Sequence, residues 1–328
     1  MDAVPVQDST LSARALARVL DTRYSLGGPA RCRFHRKGIC DTYRVRAGAD
    51  EYYLKIYRHG RRSRRDVSEE VRLLDHLRRD GVAVAEPVAQ RGGEVVWTVD
   101  APEGERCVVL FRAALGNPDD SGDPARMRAL GETVARMHAS ADRLPGAYRR
   151  SSDCGDLVER NLVERDLDVI GSFLAESAAG DRDEARYIID ATAARILALR
   201  LLESRDAPLY GICHGDLHGG DVAYDEAGTP TLYDFESSVY GWRAFEIAVL
   251  PASVEWMDTS VERRDERRRR LGVFLEGYER VRPLSGVELE AIGPGAALRH
   301  LRLMAQVLRY TTVTQGIHWA NDGFLHWH

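Results

Sequence analysis

Apolar and polar positions alternate with a period of two through much of the first hundred residues, and with a period near 3.6 beyond them. Residues 32–35, 42–45 and 52–57 read as strands parted by Gly38 and a turn centred on Gly48, which makes a meander. Further strands are expected at about 94–99 and 106–111, separated by the turn at Pro102 and Gly104. The second of these holds Cys107, Val108, Val109, Leu110 and Phe111, apolar throughout, so it is expected to be central and buried. One helix interrupts the strands at 66–79, with Val67, Val71, Leu74 and Leu77 as its apolar stripe. Residues 1–9 read as a mobile tail. A short helix is expected at about 10–22, capped by Ser9 or Thr10, with Leu11, Ala15, Val19 and Leu20 apolar.

Residues 117–123, NPDDSGD, form the best boundary, and the chain is helical beyond it. Helices are expected at 124–140, with Met127, Leu130, Val134 and Met137 on one face, and at about 155–177, 183–204, 260–282 and 285–316. One stretch breaks this pattern: residues 213–237, CHGDLHGGDVAYDEAGTPTLYDFES. It places His214, Asp216, His218 and Asp221 within eight residues. A tight turn (Asp225, Glu226, Ala227, Gly228, Thr229, Pro230) then leads into a short apolar strand that delivers Asp234 and Glu236. Such a hairpin brings Asp216, Asp221 and Asp234 towards one end of a small sheet. Crowded carboxylates repel one another and raise each other's pKa. A chain accepts that cost most readily where a divalent cation, or a proton to be moved, sits among them.

Composition narrows the picture. At 328 residues the chain exceeds one average domain, and 44% hydrophobic content is ample for a buried core. A formal charge of −5 argues against a nucleic-acid surface. The five cysteines (Cys32, Cys40, Cys107, Cys154, Cys213) are scattered and lack C-x-x-C spacing, which reads as reduced thiols in a cytoplasmic protein rather than a disulfide frame or zinc site. No run of eighteen apolar residues and no signal-peptide core is present, so no membrane partner is expected. Lys37 and Lys55 are the only lysines in a chain whose other basic side chains are arginine. By periodicity Lys55 shares a strand side with Tyr53 and Tyr57, and that pattern alone is equally compatible with a solvent-facing or a functional lysine.

The 213–237 stretch resembles the H-G-D-x-x-x-x-N and [IVLY]-D-[FW]-[DE] signature of aminoglycoside phosphotransferases and their choline- and homoserine-kinase relatives, a family with the protein-kinase-like fold. The resemblance implies an α+β, two-lobed architecture. A tail and short helix (1–20) would precede a small antiparallel β-sheet lobe with one key helix (21–116) and a larger, mainly helical lobe (117–328). It also implies residue roles. Asp216 would orient and deprotonate an acceptor hydroxyl, while Asp234, with Asp221 in the place of the family's Asn, would hold Mg²⁺ or Mn²⁺. Lys55 would contact the α- and β-phosphates of ATP or GTP and pair with Glu70, with Glu69 the adjacent alternative. Residues 38–41 would form the turn over the phosphates, and the hinge at 111–116, including Phe111 and Ala113, would offer backbone groups to the adenine edge. Residues 240–248 resemble Y-G-x-x-x-x-D-L-A, with Glu246 replacing an Asp that braces the catalytic loop.

Other residues read more simply. His138, His214 and His218 are expected to pack or brace, and Arg61, Arg62, Arg64 and Arg65 to form a solvated loop. Asp156, Glu159, Glu164, Asp166 and Asp168 form a solvated helical face or an acidic lip for a cationic substrate. His318, Trp319, Phe324, His326, Trp327 and His328 line an acceptor pocket or seal the lobe. The expected activity is transfer of a γ-phosphate to a hydroxyl of a small molecule such as an amino sugar or amino alcohol. The alternatives are a Ser/Thr peptide or protein kinase, for example in peptide natural-product biosynthesis, and a non-catalytic pseudokinase.

Overall fold

The computed structural model of the chain describes residues 4–118, 122–150, 160–176, 182–250 and 260–309. Backbone contacts divide these into two compact units. One runs through Leu115 and includes residues 147–150; the other holds the remainder. The expected helix limits at 155, 177 and 316, Asp156, Glu159, Cys154 and the aromatic and histidine residues from 318 onward lie outside the described residues.

In the first unit β1 (Arg31–Lys37), β2 (Cys40–Ala47) and β3 (Asp50–Tyr57) form the expected meander. It joins β6 (Gly104–Arg112), which also pairs β4 (Glu86–Pro87) and β5 (Trp97–Ala101), giving six antiparallel strands. With partners on both edges β6 lies inside the sheet, and this explains its unbroken apolar run. β5 starts later than its apolar run suggests. The Gln90 amide bonds the Glu94 carbonyl at 2.8 Å to close a turn, and register with β6 begins at Trp97 opposite Val108.

The strand period then sorts the side chains. Tyr52, Leu54 and Ile56 join Leu16, Leu20, Tyr24, Trp97, Val108 and Leu110 in the core beneath α1 (Ala13–Arg23). Lys55 therefore belongs to the opposite face. α1 itself is capped by Ser12, not by Ser9 or Thr10. Ser9 bonds Glu103 at 2.8 Å and Asp8 pairs with Lys37 at 2.6 Å, so the end of the expected mobile tail is tied down. α2 (Arg64–Arg79) opens with a reciprocal Ser63–Asp66 capping box. Its buried side chains include Val67, Glu70, Leu73, Leu74 and Leu77, whereas Val71 is only half-buried. Glu70 thus stands within the buried face and not at its edge.

The expected phosphate-covering turn at 38–41 reduces to Gly38 and Ile39, because Asp41 is already in β2 and fully buried. Its partner is Arg106 of β6, at 2.8 Å. The other donors of that guanidinium reach the carbonyls of Tyr57 (3.2 Å), Ile56 (3.3 Å) and Ser9 (2.9 Å), so one buried cation ties β2, β3, β6 and the N-terminal segment together.

In the second unit the order is α3 (Pro124–Ala141), α4 (Arg160–Glu176), α5 (Arg182–Leu197), β7 (Tyr210–Cys213), β8 (Val222–Tyr224), β9 (Pro230–Leu232), β10 (Val239–Trp242), α6 (Arg243–Ile247), α7 (Val261–Glu279) and α8 (Gly286–Arg309). Asp123 caps α3 and Pro124 occupies its first turn. α3 packs on α7, and α4, α5 and α6 pack on α8. Two small antiparallel sheets, β7–β10 and β8–β9, accompany these helices.

Arg106→Met removes one half of a fully buried ion pair and leaves Asp41 uncompensated. The expected loss of stability is about 3–5 kcal/mol, read as a lowered urea midpoint. An unchanged midpoint would show that the pair does not hold the sheet.

Candidate active site

The site is built by backbone bonds before any side chain reaches it. β7 ends at Cys213 and releases His214, Gly215 and Asp216 into a loop. Gly215 has φ +87°, and a Cβ there would run into the Ser237 carbonyl oxygen, so only glycine makes this turn. The expected hairpin is present: Val222 pairs with Leu232 and Tyr224 with Pro230, and the Asp225 side chain accepts the Thr229 amide at 2.8 Å. Two bonds draw its base towards the loop. The Tyr233 amide donates to the Asp221 carbonyl at 2.9 Å, and His214 Nε2 donates to the Tyr233 carbonyl at 2.8 Å. His214 is fully buried and packs against Phe235 with the rings tilted, 4.4 Å between ring centres, in the bracing role.

Asp234 follows directly, at φ 69° and ψ 49°, the one positive-φ residue other than glycine among the described residues. A left-handed aspartate is a strained conformation that persists where surrounding contacts impose it, and such residues gather at functional sites. Asp221 is buried and Asp216 half-buried. His218 lies between them. Its Nδ1 accepts the Gly220 amide at 3.0 Å, so Nε2 carries the proton and faces Asp221 Oδ2 at 3.3 Å. Burial lowers the His218 pKa, opposed by the charge of Asp216 and of Asp234, and this keeps the ring neutral. The expected cluster of Asp216, Asp221 and Asp234 is therefore drawn around one imidazole. The carboxylate oxygens of Asp221 and Asp234 are hard donors of the type that suits a divalent cation.

Beneath the loop lies a buried brace. Glu246 of α6 accepts the Gly215 amide at 2.9 Å, and its other oxygen accepts from His138 Nε2 in the last turn of α3. Nδ1 of His138 lies 2.8 Å from the Tyr278 hydroxyl of α7, which itself accepts from Arg282 at 3.0 Å. Burial would raise the Glu246 carboxyl, but the hydrogen bonds from His138 and from the Gly215 amide hold it below its ordinary value. Burial holds His138 low despite the same carboxylate, so the pair is a neutral imidazole donating to an anion. Cys213 lies in the same cluster, within 4.8 Å ligand spacing of His138 and Glu246. Burial raises its thiol well above the usual range and it bonds the Gly211 and Gly241 carbonyls, which marks a structural group.

The sequence did not single out Arg299 of α8, which forms an ion pair with Asp216. Its signal was only its spacing, one turn beyond Gly295 on a helix whose Ala291, Ile292 and Leu298 are buried.

The other expected residues lie in the first unit. Lys55 is 7% exposed, with its ammonium 5.2 Å from the Tyr57 ring centre. Glu70 is fully buried, 3.6 Å from the guanidinium of Arg150, a partner distant in sequence that no local pattern indicates. Glu69 is half-buried, pairs with Arg72 at 2.6 Å and accepts the Arg149 amide at 3.4 Å. Phe111 pairs with Tyr53 and Pro87 in the sheet. The Ala113 amide donates to the Glu51 carbonyl at 3.0 Å, so at that residue a base edge would meet the carbonyl and not the amide. Of the acidic positions on α4, Glu164 and Asp168 are exposed whereas Asp166 is buried.

The profile of the phosphotransferase enzyme family matches residues 31–284. An uncharacterized protein of Synechocystis sp. is 32% identical over 94% of this chain and 82% of its own length. A homoserine kinase of Xanthobacter autotrophicus is 28% identical over 83% of this chain and 78% of its own. Among solved structures, an amicoumacin kinase in complex with AMP-PNP, Ca²⁺ and Ami superposes with a TM-score of 0.71 at 20% identity, over 96% of this chain and 94% of that one. A microcompartment-associated aminopropanol kinase superposes with a TM-score of 0.68 at 23% identity, over 94% of each chain. The fold is the protein-kinase-like one, with the sheet preceding the helices.

Folded, His138 and Glu246 bind fewer protons than when unfolded, so both make stability fall as pH drops. The loss begins near the ordinary histidine pKa of about 6.5 and deepens below the carboxylate's of about 4.3. Glu246→Gln is expected to be less stable at pH 7 and to show a flatter decline below about pH 4.3, measured by urea unfolding across pH. An unaltered acid slope would remove Glu246 from this role.

Proposed function

The chain belongs to the phosphotransferase enzyme family, and from that premise we propose that it moves the γ-phosphate of ATP or GTP to the hydroxyl of a small molecule. The observation that carries the reading is the hydrogen-bonded loop pair that holds Asp216, Asp221 and Asp234 around His218. Asp216 accepts the acceptor's hydroxyl hydrogen and takes the proton as that oxygen attacks the γ-phosphorus in line, and the nucleoside diphosphate leaves. Asp234 and Asp221 would hold Mg²⁺ or Mn²⁺, which when bound neutralises charge on the nucleotide phosphates. Such a reaction needs little covalent help and much alignment, which suits a loop held by buried hydrogen bonds.

Within the first unit we assign Lys55 to the nucleotide phosphates. Its burial on the sheet face away from α1, in a chain otherwise built on arginine, supports this. Glu70 belongs to the same buried environment, and the backbone at Phe111 and Ala113 is assigned to the base. The named relatives and structural neighbours, a homoserine kinase, an amicoumacin kinase and an aminopropanol kinase, support a small-molecule acceptor. Among the described residues no helix is long and apolar enough to cross a membrane. Cys32, Cys107 and Cys213 are free thiols, which supports a cytoplasmic setting.

Asp216→Asn is expected to lower turnover on the order of 10²–10⁴-fold while nucleotide binding persists, read by coupled assay and calorimetry. Normal turnover would dismiss the role.

Asp221→Asn has a distinct expectation. The Gly220 amide fixes the proton on His218 Nε2, so an asparagine must turn its oxygen to that donor and its NH₂ towards the metal. The Mg²⁺ concentration for half-maximal activity should rise, on the order of tenfold. An equal or lower requirement would show that Asp221 is not a ligand.

A further inference from the structure

Asp216 does not stand alone. The Arg299 guanidinium contacts its Oδ1. Arg299 is brought there by close helix packing: a Cβ on Gly295 would meet Phe245 Cδ1 at 2.7 Å and the Ala248 Cβ at 2.8 Å. α8 therefore lies tightly on α6 and the residue that follows it, and Arg299, one turn beyond Gly295, reaches the loop whose Gly215 amide α6 holds through Glu246. We propose that Arg299 reads a carboxylate on the acceptor, so that the preferred substrate is a small hydroxy acid, of the amino-acid or simple hydroxy-acid type, and not a polycationic amino sugar. This deepens the phosphotransferase reading and rests on it.

A guanidinium carries five N–H donors, and the bond to Asp216 uses one. Nε is buried without a hydrogen-bond partner among the described residues. Both side chains remain partly open, 19% for Arg299 and 28% for Asp216, so one small molecule can reach them together.

The planar fork of arginine matches a carboxylate bidentately, which a lysine ammonium does not. A cationic acceptor meets the same guanidinium as a repulsion.

The test compares each hydroxy acid with its decarboxylated partner: L-homoserine with 3-aminopropan-1-ol, L-serine with ethanolamine, and glycerate with ethylene glycol. The wild type is expected to favour the acid in at least one pair on the order of 100-fold in kcat/KM, the scale of a charged bidentate contact. Arg299→Met should collapse that ratio, and Arg299→Lys should leave it intermediate. Equal or inverted ratios in every pair overturn the proposal. So does an Arg299→Met variant that slows both members of a pair alike, because a residue that merely orients Asp216 would act that way.

Calorimetric titration of the same pairs into protein loaded with AMP-PNP and Mg²⁺ reads the preference where transfer is absent, and binding indifferent to the carboxylate also overturns it. The failure of the underlying reading looks different: no phosphorylation of these acids, of amino sugars or of Ser/Thr peptides, with Asp216→Asn indistinguishable from wild type in nucleotide turnover.

Discussion

The buried Glu246 carboxylate is the point on which the catalytic loop depends. It accepts from His138 on α3 and from the Gly215 amide, and it sits on α6. A carboxylate in a water-free interior is tolerable only when its lone pairs are answered by donors, and here an imidazole and a backbone amide both do so. Removing either donor leaves one oxygen of a buried anion unanswered, so helix position, loop geometry and protonation form one cooperative unit. Arg243 reinforces the same corner: its fully buried guanidinium bonds Asp142 and the carbonyls of His138 and Pro208.

Above that brace the site solves a charge problem by geometry. The charges of Asp216 and Asp234 act on His218, which also faces Asp221, and each carboxylate needs an answering group. Arg299 answers Asp216, and the neutral His218 donates to Asp221 without adding charge. The remaining negative character suits a divalent cation, and the left-handed backbone at Asp234 shows that packing imposes the direction of that side chain against its own preference. In the first unit the sheet is organised comparably around a buried ion pair, Arg106 with Asp41, which frees the opposite sheet face for Lys55.

Much of this was written in local sequence. The two periods separated the sheet from the helices, the apolar run at 107–111 marked the inner strand, and the Asp-Glu-x-Gly turn placed the hairpin that delivers Asp234. The 213–237 motif pointed to the loop because its residue types and spacing are rare together. These signals are legible because strand and helix periodicity and turn conformation depend on neighbours within a few residues.

Local sequence, then, carries the order of elements, the face that most of them bury and the loop where carboxylates gather. Which side chains from distant segments meet there follows from how the helices and sheets pack. Arg299 reaches Asp216 across 83 positions, His138 reaches Glu246 across 108, and Glu70 lies beside Arg150 of a segment that local pattern could not connect to it. Capping shifted for the same reason, since Ser9 found Glu103 and left Ser12 to start α1. A periodic pattern tells which way a residue faces, but helix crossings and the packing of small residues such as Gly295 determine what it faces.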